Sequence, residues 1–347
     1  MYLTPFPLFP SQTKRKRPFL HNKDWQVRNL ARKKKVIVDV DTGIDDALSI
    51  LYLLKQDVEL LGITAVSGNV SAERAAANTL KILELAGAPK DIPVFQGAEQ
   101  PLFRPWQGPS VRFHGENGLG NVELPESARS VQPGHAADFI VQKAEEYPEE
   151  LTLLFLGPLT NLALALVKDV RLPEKVKEVV IMGGAIRVPG NVTLVSEGNI
   201  AGDPEAAHMV FSAGFPLTMV GLDVTMKAVF TERHLKLLEE KYRKDAGSQK
   251  IARVAKELLE FRFDAYAGYW EERGCPLHDP LAVAVALDPS LAEKVPMQVQ
   301  IETKGTLSLG ATVADLRIGR GAEPNVLVCV KADYERFFNR FIDALAK

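Results

Sequence analysis

Beyond Lys35 the chain alternates short β-branched runs with longer segments of helical period, and this alternation points to a mostly parallel sheet with crossover helices. The pattern predicts strands over 36–40, 60–67, 93–96, 151–156, 179–182 and 217–220. Helices are expected over 46–56 and 71–85, from near Pro158, and from Asp203-Pro204. Pro158 suits a first helical turn, where its missing N–H costs nothing. Helices then dominate 231–287, and two β runs, 312–317 and 325–330, precede a last helix over 334–346. The expected fold class is α/β, an open, mostly parallel sheet flanked by helices. Two connections, 97–133 and 183–201, are longer than a compact fold needs. Both follow strands, so they would lie over the carboxyl edge of the sheet, where open α/β sheets bind ligands.

Composition narrows the function classes. With 46% hydrophobic and 25% charged residues, the chain can bury a large core, which excludes a disordered or fibrous protein. The 42 Lys and Arg against 44 Asp and Glu give a formal net charge of -2, unlike a whole-chain nucleic-acid binder. The charge is unevenly placed, however. The first 35 residues carry ten bases and the single acid Asp24, which leaves 32 bases against 43 acids in the remainder, a net of -11. The expected organisation is therefore a basic, solvated N-terminal extension over 1–35 and one catalytic domain over 36–347. A transit peptide, or a nuclear signal at Lys14-Arg15-Lys16-Arg17, fits the same leader. Two cysteines, Cys275 and Cys329, make neither a disulfide framework nor a thiolate metal site, so a reducing, cytoplasmic setting is expected. The most apolar stretch, 151–167, is interrupted by Gly157-Pro158 and Thr160-Asn161, so no membrane span is expected.

The chemistry is concentrated at Val38-Asp39-Val40-Asp41-Thr42-Gly43-Ile44-Asp45-Asp46. Four carboxylates within eight positions, at a strand tip and a helix start, repel one another unless protons or a cation hold them; a hard divalent cation is the simplest answer. Asp39 and Asp41 share a strand face, and Asp45 and Asp46 sit where the helix dipole favours negative charge. Any one of them could be a helix cap; four together are not explained by capping. Asp41-Thr42-Gly43 spells the aspartic-protease triplet, but no second copy appears. Asp39-Val40-Asp41 resembles the start of a haloacid-dehalogenase-type phosphatase, which wants Thr or Val where this chain has Gly43. A second signal is Cys275-Pro276-Leu277-His278-Asp279-Pro280 before an Ala/Val-rich helix. His278 can pass a proton near neutral pH, while Asp279 suits a cap or a metal ligand. A third is a set of strand-end polar residues, Ser67-Gly68-Asn69, Gly190-Asn191 and Glu197-Gly198-Asn199, turn chemistry singly but together able to ring a sugar's hydroxyls. Gly157-Pro158-Leu159-Thr160-Asn161 offers another turn, with a carbonyl free for a hard cation, and His114 in the first long loop is placed to face a ligand.

These residues, in this order, resemble the inosine-uridine-preferring nucleoside hydrolases from about Val36 to Asp288. The motifs that carry the resemblance are Asp-x-Asp-x-x-x-Asp-Asp, Ser-Gly-Asn, Gly-Pro-Leu-Thr-Asn, Met-Gly-Gly, Glu-x-Asn followed by Asp-Pro-Glu-Ala-Ala, and His-Asp-Pro. The resemblance implies a Rossmann-like nucleoside hydrolase core with Ca²⁺ at the bottom of a deep pocket. It implies that Asp41, Asp46, Asp279 and the Thr160 carbonyl hold the ion, and that Asp41 is the general base. Asp45, Asn69, Asn191, Glu197 and Asn199 would grip the ribose, His278 would protonate the departing base, and His114 and Tyr266 would contact it. Asp39 would support the metal loop. The implied substrate is a small nucleoside, not a nucleic-acid polymer or a membrane, and the implied assembly is a homo-oligomer. Thr42 departs from the Pro that many members carry, and keeping His278 resembles the broad or pyrimidine-tolerant branch. A phosphatase with Asp39 as nucleophile, and a non-catalytic nucleoside- or ribose-binding protein on the same fold, are the alternatives.

Overall fold

Strand β1 (Lys34–Val40) organises the molecule because its side chains feed two cores at once. Val36, Val38 and Val40 enter one apolar cluster and Ile37 the other, so the strand is covered on both faces, as a central parallel strand requires. The computed structural model describes residues 33–242, 249–317 and 323–346. The elements named below belong to the compact unit Lys34–Lys347; residues 1–32, most of the expected basic extension, lie outside the described residues.

β1 pairs in parallel with β2 (Val58–Ala65) on one side and β4 (Leu151–Phe155) on the other. β3 (Val94–Gln96) flanks β2, while β5 (Glu178–Met182) and β6 (Leu217–Val220) continue beyond β4. Two further strands complete an eight-stranded sheet: β7 (Ala292–Met297) and β8 (Val326–Ala332), in the order β3-β2-β1-β4-β5-β6-β8-β7. Only the β8–β7 pair is antiparallel. Helices α1 (Ile44–Leu53) and α2 (Ala72–Leu85) cover the first core. Helices α3 (Ala136–Glu146), α4 (Thr160–Lys168) and α5 (Pro204–Ser212) cover the second. Helices α6 (Glu232–Tyr242), α7 (Gln249–Ala265), α8 (His278–Leu287) and α9 (Tyr334–Leu345) return to the first. No described helix is long and apolar enough to cross a membrane.

The chain builds outward from β1 to β3, then restarts on the other side of β1 and builds from β4 to β6. Strand order therefore reverses between β1 and β4. Loops leaving adjacent strand ends diverge at such a switch point and open a crevice beyond the carboxyl ends. The Asp-rich segment leaves β1 there, and Gly157-Pro158-Leu159-Thr160 leaves β4.

Several elements differ from the sequence expectation for identifiable reasons. β7 is a half-buried edge strand carrying Glu293, Lys294 and Pro296, so it lacks the apolar run of an interior strand. The 312–317 run forms only Thr312–Ala314, which pairs with Val299–Ile301 in a separate two-stranded sheet. Helix α3 was not expected; its stripe of Ala137, Phe139, Ile140 and Ala144 packs on the second core. Within the expected helical region, Gly274–Pro276 is instead a short strand paired with Val229–Thr231.

Candidate active site

At the end of β1, Asp39 is fully buried and its Oδ2 accepts from the Thr64 hydroxyl on β2 and from the Asn161 amide at 2.7 Å. Asn161 also donates to the Ala65 carbonyl and accepts from the Ala98 N–H, so one side chain ties α4 to β1, β2 and the first long loop. Beyond the strand, Asp41 accepts from the Asn69 backbone N–H at 2.7 Å and from its side-chain amide at 3.0 Å. That amide also reaches Asp46 at 3.4 Å. Asp46 in turn accepts from the backbone N–H groups of Gly43 and Asp41, at 3.0 and 3.2 Å. The cap reading of Asp46 is thus correct, and incomplete. Gly68 allows the close approach: a Cβ there would sit 2.0 Å from Asp41 Oδ2.

His278 and Asp279 arrive from the first turn of α8, more than two hundred positions away in sequence, and both are buried. Asp45, Asp46 and Asp279 each offer a carboxylate oxygen, with these atoms within 4.8 Å of one another. Burial, then repulsion by Asp46, holds the Asp41 carboxyl well above the usual range. Burial does the same to Asp279, with Asp45, Asp46 and Asp41 adding to it. Burial and Asp45 push Asp46 up to about 7, and burial pushes Asp39 up to about 7. So many carboxylates on one floor need protons or a cation, and the donors are all hard oxygens. The residues present therefore fit a divalent hard cation of the calcium or magnesium kind.

Asp45 is the exception. Burial alone would raise it, but the Arg262 guanidinium, at 2.9 Å, holds it below the ordinary range. Arg262 is buried on α7 and lies over the Tyr266 ring at 5.3 Å. Its Asp45 pair is one in which removing either partner would strand a buried charge. Sequence reading missed Arg262. The available signal was a cation at apolar spacing, four after Leu258 and next to Phe263, on the buried face of α7.

The histidines are set differently. His114 Nδ1 accepts from the Ile44 N–H at 3.0 Å, so that nitrogen carries no proton and its 3.9 Å approach to Asp45 is not an ion pair. Burial pulls His114 down to about 3. The ring explains Gly43: a Cβ at that position would lie 2.2 Å from His114 Nδ1. Burial, with Arg262 opposing a second positive charge, pulls His278 down to about 4. His278 Nδ1 meets the Thr225 hydroxyl at 2.8 Å, and its Nε2 has no hydrogen-bond partner.

The second long loop supplies the far wall. Glu197 accepts from the N–H groups of Gly184, Asn199 and Ile200, which fixes it at the start of the short helix Gly198–Gly202; burial raises its carboxyl. The Asn199 amide donates to the strand-end carbonyls of Leu156 and Met182, across the β4–β5 gap. Asn191 accepts from the Gly198 N–H. Thr160 opens α4 and donates its hydroxyl to Asp203 at 2.7 Å. Asp203 also accepts from Leu102 and Ala206, and Asp223 accepts from Ile186 and Arg187, so two further carboxylates tether the long loops. From the sequence, Asp203 reads only as a helix start and as part of the Asp-Pro-Glu-Ala-Ala motif, and Asp223 was not singled out.

These groups converge on a cavity of about 580 Å³ whose walls include Asp41, Asp45, Asn69, His114, Asn191, Glu197, Asn199, Tyr266, His278 and Asp279. A second cavity of about 550 Å³ lies at the amino ends of β1 and β2. There the charges pair with one another, Lys34 with Glu178 and Asp288 with Arg336 and Arg340, leaving no comparable set of unneutralised carboxylates. Size does not separate the two; chemistry does.

Residues 36–339 match the family model described as inosine-uridine preferring nucleoside hydrolase. The chain is similar to uridine nucleosidase 1 of Arabidopsis thaliana, 39% identical over 85% of this chain and 86% of that one. It is 37% identical to the inosine-uridine preferring nucleoside hydrolase of Crithidia fasciculata, over 90% of this chain and 98% of that one. Among solved structures, it resembles a purine-preferring ribonucleoside hydrolase from Gardnerella vaginalis, with a TM-score of 0.83 and 36% identity over 90% and 98% of the two chains.

Proposed function

Because this chain belongs to the inosine-uridine preferring nucleoside hydrolase family, we propose that it hydrolyses the N-glycosidic bond of ribonucleosides, releasing free base and ribose. The observation that carries this reading is the meeting of Asp279 with Asp45 and Asp46 on the floor of a cavity that also holds an unpartnered His278 nitrogen. Cleavage of such a bond passes through an oxocarbenium-like sugar, which calls for negative charge beneath the ring, an activated water and help for the leaving base.

In this proposal Asp41, Asp46, Asp279 and the Thr160 carbonyl hold Ca²⁺, with Asp39 behind them. Bound there, the ion would supply Lewis acidity toward water and the ribose hydroxyls. Asp41, oriented by both hydrogen bonds from Asn69, takes the proton of the attacking water. Asp45 is left for the sugar because Arg262 already engages its Oδ1 and keeps it charged. Asn69, Asn191, Glu197 and Asn199 bind the remaining hydroxyls, and their ties to the backbone limit the freedom lost on binding. His278 assists the departing base as its hydrogen-bond donor, and His114 and Tyr266 face it. The phosphatase and the non-catalytic binder gain no support from the family match, and the approach of His114 leaves no room at position 43 for the phosphatase side chain.

The test is incubation with inosine, uridine, cytidine and adenosine in the presence of Ca²⁺, with reducing sugar as the readout. Ribose release from at least one is expected; none from any would refute the proposal. Base preference does not transfer from the relatives, since their names run from uridine to purine at similar identity.

A further inference from the structure

Resting on that reading, we propose that Thr225 is a positioning residue: its hydroxyl donates to Nδ1 of His278, so that Nε2 carries the ring proton and presents it to the departing base. Thr225 ends the short helix Leu222–Thr225 after β6 and is fully buried, 2.8 Å from the imidazole nitrogen. The bond has two senses, and buried protons decide between them. If Nδ1 were the donor, the Thr225 hydroxyl proton would have no acceptor among the described residues, because His278 is the sole hydrogen-bond partner of that oxygen. Either sense leaves one polar hydrogen without a protein acceptor, but Thr225 does not line the cavity and its hydrogen would stay enclosed, whereas one on Nε2 belongs to a residue bordering a space that a ligand can fill. With the hydroxyl as donor, both groups are satisfied at that contact. The one remaining polar hydrogen is then on Nε2, which is buried, has no protein partner, and belongs to a residue lining the cavity with Asp41, Asp45 and Asp279.

An imidazole whose tautomer is fixed through its far nitrogen is also fixed in direction, since rotating the ring would break the Thr225 bond. In the cleavage step the electron pair of the N-glycosidic bond leaves with the base, and the Nε2–H donation stabilises the charge that develops there. The base then takes its proton from solvent water, and none need leave the ring. Thr225 itself touches neither base nor sugar.

Two measurements on the full chain separate this role from simple packing. In long-range ¹H–¹⁵N spectra of histidine-labelled protein, with the His278 signals identified through His278→Gln, the wild type should show a protonated Nε2 and a bare Nδ1. The near-isosteric Thr225→Val should lose that preference, lower kcat on uridine or inosine by about 10-fold and leave KM within about twofold. Turnover of nitrophenyl riboside, whose leaving group needs no donor, should be unchanged, and Thr225→Ser should restore both spectrum and kcat. A protonated Nδ1 in the wild type, or a folded Thr225→Val enzyme with undiminished kcat, would overturn the proposal. Should the wild type cleave no nucleoside, the functional reading fails, while the spectrum still decides the sense of the Thr225 bond.

Discussion

The floor and the rim of the cavity are built from opposite materials. On the floor, Asp41 and Asp45 line the cavity with Asp39 and Asp46 behind them; all four come from one short segment, are buried, and are held by neighbouring amides or by Arg262. At the rim, Trp106, Val192 and Tyr269 come from separate connections, and Tyr269 is 50% exposed and Val192 66% exposed. A floor so constrained leaves its carboxylates little freedom, whereas side chains exposed at the rim can be exchanged without touching them. The names of the relatives differ in the base, from uridine through inosine-uridine to purine.

The largest effect should come from the floor. Asp41→Asn keeps the side chain's shape but turns an NH2 toward one of the two Asn69 donors and removes the proposed base, and should lower kcat by about 10⁴ on every nucleoside, at the upper end for lost acid–base help. Reducing-sugar assays on the folded variant check this, and base-dependent losses would break the separation of floor from rim. Next, His278→Ala should slow uridine and inosine by about 10²-fold or more yet leave nitrophenyl riboside nearly untouched. Equal losses on both substrates would remove His278 from the leaving-group step.

A smaller effect, on stability, follows from the crowded carboxylates. In the fold Asp39 and Asp46 titrate near 7, above the value of about 4 of an unfolded chain. Without bound cation the folded protein therefore holds protons that the unfolded chain has released, which lowers its stability as pH rises from about 4 through about 7, while His114 and His278, held below the unfolded value of about 6.5, act in the opposite sense up to that pH. Thermal unfolding of chelated protein between pH 5 and 8 reads this slope, and added Ca²⁺ should flatten it. A Tm that does not fall above about pH 6.5 in the chelated protein, where the histidines no longer oppose the slope, would show that these carboxyls are not crowded as described. The smallest effect belongs to the rim. Tyr269→Ala should change the ratio of kcat/KM between purine and pyrimidine nucleosides by roughly 10-fold at most, the range for altered apolar contact. A uniform collapse on all substrates would mean that the rim, too, belongs to the catalytic machinery.

The same contrast governs what can be read from sequence. The β1 tip is legible because its four aspartates are adjacent in the chain and no packing role explains them all. The parallel strands β1, β4 and β5 are legible because burial on both faces makes them continuous apolar runs. Edge strand β7 carries no such run, and its pairing with β8 is a tertiary choice. Arg262 and Thr225 were not legible for another reason. Each meets a side chain far off in the chain, Asp45 for Arg262 and His278 for Thr225, and each reads locally as an ordinary helical residue. The His-Asp-Pro motif marked Asp279 as a candidate ligand, but only folding puts it beside Asp45 and Asp46.

The central claim is that aspartates from the two ends of this fold share one hard cation, and calorimetric titration of chelated protein with Ca²⁺ tests it most directly. The wild type should bind one ion per chain, and Asp279→Asn, folded and monitored in the same way, should bind at least about 10²-fold more weakly, as expected when a charged ligand is lost. Unchanged affinity and stoichiometry in Asp279→Asn would contradict the claim.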